Sequence, residues 1–185
     1  MERREFLLSA GGIVGATAIG SVAYTEASVD RSVTGEVAAD DSAIIGLTAG
    51  SPSAIYKNND GQLEIDTTVS DASGLNTDGK FDYGDSDDPT GTPGFSITNN
   101  DGNPHDLTVS LTDMTEPASS SFKIDLYQDD GTNIGTVDSS TDQTYNGWAS
   151  TETIHAIVTI DTSGTSWDSN AISGDMVFQA GPDTT

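Results

Sequence analysis

Apolar side chains recur at every second position in one short run after another, and this period of two restricts the fold more than anything else in the chain. "GFSITNN" sets Phe95 and Ile97 on one parity, "DLTVSLTD" sets Leu107, Val109 and Leu111, and "SFKIDLYQDDG" sets Phe122, Ile124 and Leu126. "TETIHAIVTIDTS" aligns Ile154, Ala156, Val158 and Ile160 with Ile157 on the other parity, and "GDMVFQAG" ends the series with Met176 and Phe178. Earlier, "SVDRSVTGEV" alternates Val29, Arg31, Val33, Gly35 and Val37, "SAIIGLTA" is a short apolar run, and "QLEIDTTV" alternates Leu63, Ile65, Thr67 and Val69. Extended backbone sends successive side chains to opposite faces, so each run can bury one face and wet the other. No stretch after the N-terminal segment keeps the i, i+3, i+4, i+7 spacing of an amphipathic helix, and the residues between runs are Thr, Ser, Asn, Asp and Gly, which favour turns. "NNDG" and "QDDG" read as hairpin turns. The segment from Ser70 to about Pro93, which holds "DYGDSDDPTGTPG", is too rich in Asp, Gly and Pro for a regular element. The expectation is an all-β chain: one antiparallel β-sandwich, Ig-like or jelly-roll-like, of about eight or nine strands over residues 28–185.

The first residues follow other rules. "MERREFLLSAGG" places Arg3 and Arg4 before Phe6, Leu7 and Leu8 and a moderately apolar, glycine-containing run that extends to about Ala23. A charged start, an apolar middle and a small-residue exit form an export signal, and the arginine pair resembles the twin-arginine class of address. Residues 1–27 are therefore expected to be a signal segment cut after residue 23 or residue 27. The glycines make this run a poor permanent membrane span, since each costs about 1 kcal/mol against alanine in a helix. The chain has no cysteine, so no disulfide staples a secreted product. A secreted protein with no membrane span in its mature part is expected.

Charge narrows the partners. The chain carries 30 Asp plus Glu against six Lys plus Arg, a formal charge of −24. Nucleic acid demands a basic footprint and anionic lipid attracts one, so neither is a partner. Aspartate scattered through the loops, with almost no lysine, suits a protein working in high salt. At about 1 M ionic strength the Debye length shrinks to about 3 Å, and carboxylates no longer repel across the surface.

No residue set reads as a catalytic signature, and the chain is expected not to be an enzyme. His105, in "NNDGNPHDL", and His155, between strand positions, are the only histidines, and both read as solvated. Serines and aspartates are so abundant that a Ser-His-Asp set cannot be picked out, and the G-x-S-x-G elbow is absent. Asp82, Asp85, Asp87 and Asp88 in "FDYGDSDDPTG" form the one cluster with the donor chemistry of calcium, which takes six to eight oxygens. Solvated loop acids are the alternative, and otherwise no cofactor is expected. Trp148 and Trp167 read as rim packing, with stacking on a sugar ring as the alternative.

Two stretches carry a family resemblance. "AYTEASVDRSVTGEVAADDSAIIGL", and then "GLNTDGKFDYGD" followed by "FSITNNDGNPHDLTVSLTD" and the late "IDTSG", resemble an uncharacterised family of haloarchaeal secreted proteins. That family is similar, more distantly, to the TasA/camelysin class of secreted β-sandwich proteins, several of which build extracellular fibres. The resemblance implies a non-catalytic structural protein at the cell surface that self-associates or joins other surface proteins. The strand of Val29, Arg31, Val33 and Val37 would pair with a neighbour's sheet edge, or else serve as the first strand of its own sheet. A monomeric binding module for envelope glycans or surface proteins is the rival expectation.

Overall fold

In a computed structural model of the chain, the alternating runs pair into antiparallel sheets. The structure describes residues 38–68, 74–117, 119–164 and 172–185. Two units divide the chain, Met1–Glu36 and Val37–Thr185. Arg3 and Arg4, the strand expected from Val29 to Val37, and Trp167 lie outside the described residues.

After a 3-10 turn at Asp40–Ser42 come eleven strands among the described residues, more than the eight or nine expected. They are β1 (Ile45–Ala49), β2 (Ile55–Lys57), β3 (Leu63–Ile65), β4 (Lys80–Tyr83), β5 (Phe95–Asn99), β6 (His105–Thr115), β7 (Ser121–Tyr127), β8 (Asn133–Val137), β9 (Gln143–Trp148), β10 (Thr153–Asp161) and β11 (Ser173–Pro182). One sheet runs β1-β5-β10-β7-β8, a second runs β11-β6-β9, and β2 pairs with β3 in a hairpin. One side of β10 is shared: Thr153–Ala156 pair with β5 and Val158–Asp161 pair with β4, while β7 pairs with His155–Asp161 on the opposite side. The polar segment from Ser70 to Pro93 therefore does contain a strand. In β4, Phe81 and Tyr83 face inward between Lys80 and Asp82, and pairing to the central strand outweighs the polar composition.

The two sheets close on the residues that the alternation marks. Phe95, Ile97, Ile124, Leu126, Ile154, Ala156 and Val158 of the larger sheet are all at most 1% exposed, as are Leu107 and Val109 of β6. Phe95 on β5 meets Phe178 on β11 edge-to-face across the layers, with ring centroids 6.1 Å apart. Each such side chain contributes about 1.5–3 kcal/mol by leaving water. Ile157 is also buried, but on the outer face. There the β4–β5 loop covers it, passing so close that a Cβ on Gly84 would lie 2.5 Å from its Cδ1.

Polar groups hold the ends. Asn99, fully buried, donates from Nδ2 to the carbonyls of Asn103 and Trp148, both at 3.0 Å, and accepts the Asp101 amide at 2.9 Å. Trp148 is also fully buried, and its Nε1 donates to the Glu152 carbonyl. It packs in the core rather than at its rim, which leaves no ring face for a sugar.

Aspartates repeat one local device. Asp66, Asp130, Asp138, Asp161 and Asp183 each accept the backbone N–H two residues on, at 2.7–3.0 Å, from Thr68, Thr132, Ser140, Ser163 and Thr185. Such Asx turns let a carboxylate finish a turn the backbone cannot close alone. Hydrogen bonds from the Thr or Ser side chain and amide lower the pKa of all five carboxyls.

Candidate functional site

The acidic loop was the best sequence candidate for a cation, and the structure does not gather its carboxylates. Asp82 stands on β4, where it accepts a hydrogen bond from Thr159 Oγ1 at 2.6 Å and pairs with Lys80. Burial raises its pKa and these two partners lower it, with a net lowering. Asp85 Oδ1 caps the amide of Asp87, and Asp88 Oδ1 caps that of Gly91, so one oxygen of each serves the loop's own turns. Among the described residues no group of three His, Cys, Asp or Glu side chains could hold a metal ion. Asp82, Asp85 and Asp88 each give at least one carboxylate oxygen to a local amide, hydroxyl or ammonium.

Both histidines, expected to be solvated, are engaged. His105 opens β6, and its Nε2 lies 2.6 Å from Asp101 Oδ2 while Nδ1 lies 3.1 Å from the Gly181 carbonyl on β11. Two acceptors facing both ring nitrogens call for the imidazolium. The Asp101 carboxylate, then the Gly181 carbonyl, raise its pKa, and His105 in turn lowers that of Asp101. Next to it, Asp106 accepts the Gly147 amide and the Thr184 hydroxyl. The C-terminal end of β11 is fastened to β6 at these points.

His155 projects from the outer face of the larger sheet. Its Nδ1 lies 3.3 Å from Ser96 Oγ and its Nε2 lies 2.8 Å from Asp129 Oδ1. Sequence reasoning passed over this set because the three residues come from distant segments and have many look-alikes. Only the strand register selects them.

The two flanks of the sandwich differ. On one, the chain turns from β8 in the larger sheet into β9 in the smaller one, with a bridge between Asp138 and Thr141 and a bond from Gln143 Nε2 to the Thr136 carbonyl. On the other, β1 and β11 each pair on one side only among the described residues. β11 is ten residues long, and its central Met176, Val177 and Phe178 are only half-buried. Between the layers here opens a cleft of about 1180 Å³, with Leu47, Leu63, Phe122, Ile160, Met176 and Phe178 among its lining. No helix among the described residues is long and apolar enough to cross a membrane.

Comparison with family models, with curated proteins and with solved structures gives no match. The resemblance to haloarchaeal secreted proteins rests on the sequence motifs alone.

Proposed function

We propose that the chain is a structural subunit, exported to a cell surface bathed in high salt, that joins its neighbours by β-strand addition through residues 28–37. The observation that supports this reading is the open flank, where the ten-residue edge strand β11 runs beside an apolar cleft. An edge strand presents a row of unpaired N–H and C=O groups and is a template for a strand from elsewhere. Val29, Val33 and Val37 share one parity with Arg31 and Gly35 between them, so a strand formed by this segment offers three valines to the cleft while its backbone pairs with the edge. Passed from each subunit to the next, the contact is heterologous, and such contacts continue into filaments unless rotation closes a ring.

Electron microscopy and size exclusion of the purified protein in molar salt test the proposal. Polymers are expected, and deletion of residues 28–37 should abolish them while leaving the strand signal in circular dichroism intact. A sharp monomer peak from the undeleted protein at every concentration overturns the reading, as does unchanged polymerisation after the deletion.

A further inference from the structure

The pairing register assembles a chemical arrangement on the outer face of the larger sheet. Ser96 on β5 lies directly opposite His155 on β10, and His155 in turn opposes Tyr127 on β7, two residues before Asp129. Directly opposed residues of antiparallel strands share a face, with Cβ atoms about 4.5–5.5 Å apart. Backbone pairing thus sets the Ser96–His155 juxtaposition. Only the Asp129 arm depends on a turn.

The hydrogen bonds have one consistent direction. An ionised carboxylate only accepts, so the 2.8 Å contact with Asp129 puts the ring proton on Nε2. In the neutral ring Nδ1 is then a lone pair facing the Ser96 hydroxyl 3.3 Å away. The His155 side chain is only 12% exposed. Ile157, two residues further along the same face, lies under the β4–β5 loop. A nucleophile, a base beside it and a third group orienting the base make up the arrangement that activates serine, and it is recognised by geometry and roles rather than by fold.

The geometry points to Ser96 as a nucleophile, with His155 as its general base and Asp129 as the residue that orients the imidazole, acting on small acyl esters. Ser96 Oγ attacks the acyl carbon while its proton passes to His155 Nδ1. The ester C–O bond then breaks, and the departing alkoxide takes that proton as an alcohol. Water attacks the acyl-serine, gives its proton to Nδ1, and releases the carboxylic acid as Ser96 regains its hydrogen. The surroundings name the alcohol part. Thr48 opposes Ser96 on its other side, and the Thr98 and Thr153 hydroxyls, 3.1 Å apart, stand in the next row of the same face. A hydroxyl-lined, partly buried face suits acyl groups carried on polyhydroxylated compounds. This site faces away from the inter-sheet cleft, so it stands or falls independently of the assembly reading.

Two probes test it in molar salt: hydrolysis of 4-nitrophenyl acetate, and labelling by a fluorophosphonate with the modified peptide located by mass spectrometry. The label is expected on Ser96. Ser96→Ala and His155→Ala should each lose about 100-fold or more in hydrolysis, the scale of general-base assistance. Added imidazole should restore part of the rate to His155→Ala but none to Ser96→Ala. Asp129→Asn should lower kcat with little change in KM and an unchanged melting temperature. Equal hydrolysis by the unsubstituted protein and Ser96→Ala overturns the proposal, as does the absence of label on Ser96. If Ser96→Ala fails to fold, the labelling result on the unsubstituted chain decides alone.

Discussion

Asn99 tests whether buried polar groups hold the loop end of this sandwich. Its side chain is fully buried and makes three hydrogen bonds, two as donor to the Asn103 and Trp148 carbonyls and one as acceptor from the Asp101 amide. A net contribution of about 1 kcal/mol for each gives a loss of about 3 kcal/mol in Asn99→Ala. For a domain of this size that lowers Tm by about 6–12 °C. Asn99→Asp keeps the outline and the acceptor, but puts a second carboxylate oxygen where the amide donated, 3.0 Å from two carbonyl oxygens. Burial and these carbonyls disfavour the charge, so at pH 7 the Asp variant should melt below the Ala variant. The introduced carboxyl has its folded pKa raised above the unfolded value of about 3.9. Its penalty is therefore absent below that value and grows as pH rises, so the gap between the two variants should close toward pH 4. Thermal melts followed by circular dichroism at fixed molar salt measure both effects. An Asp variant as stable as the Ala variant at pH 7 refutes the claim that Nδ2 is a required donor.

Two pH effects of opposite sign follow from the same network. The pKa of His105 is raised by Asp101 and the Gly181 carbonyl, so its contribution is full below the unfolded value of about 6.5 and is lost as pH rises through the folded value. Tm should fall more between pH 6 and pH 9 in the unsubstituted protein than in His105→Gln, and equal slopes would contradict the clasp. Asp66, Asp130, Asp138, Asp161 and Asp183 have lowered pKa values, so their contribution is present above about 3.8 and lost as pH falls through the folded values. Asparagine keeps the accepting oxygen without the titration. The fivefold Asp→Asn variant should therefore lose less stability than the unsubstituted protein between pH 5 and pH 2 in molar salt, and identical acid transitions would remove the aspartate turns as the cause.

The long strands were legible because their burial is periodic. Phe95 and Ile97, Leu107 and Val109, Ile124 and Leu126, and Ile154, Ala156, Val158 and Ile160 all turn inward as their parity requires. β8 and β9 were not legible. Gly135 at φ 152° interrupts "NIGTV", and "QTYNGW" carries an Asn-Gly pair with Gly147 at φ 67°, so local chemistry imitates turns where the chain is paired. β4 was hidden by the charged residues around Phe81 and Tyr83, and what makes it a strand is Val158–Asp161, more than seventy residues away. Trp148 sits next to polar residues in sequence and inside the core in space. The Ser96–His155–Asp129 set was beyond reach for a related reason. Composition supplied too many serines and aspartates, and only the pairing of β5, β10 and β7 says which ones meet.

Acidity constrains the proposed assembly. Copies of a chain with a formal charge of −24 repel at low salt, where the Debye length is about 10 Å at 0.1 M, and lose most of that repulsion near 1 M, where it is about 3 Å. Apolar burial in the cleft and backbone pairing along β11 act at contact and are not screened. Salting-out ions even strengthen the apolar part. Strand addition should therefore strengthen as salt rises, whereas a contact held by ion pairs should weaken. Cations for such pairs are scarce: the described residues include three lysines, Lys57, Lys80 and Lys123, of which Lys57 already pairs with Asp41 and Lys80 with Asp82. The proposed strand addition would rest on hydrophobic and backbone contacts, with Arg31 the one cation that residues 28–37 carry.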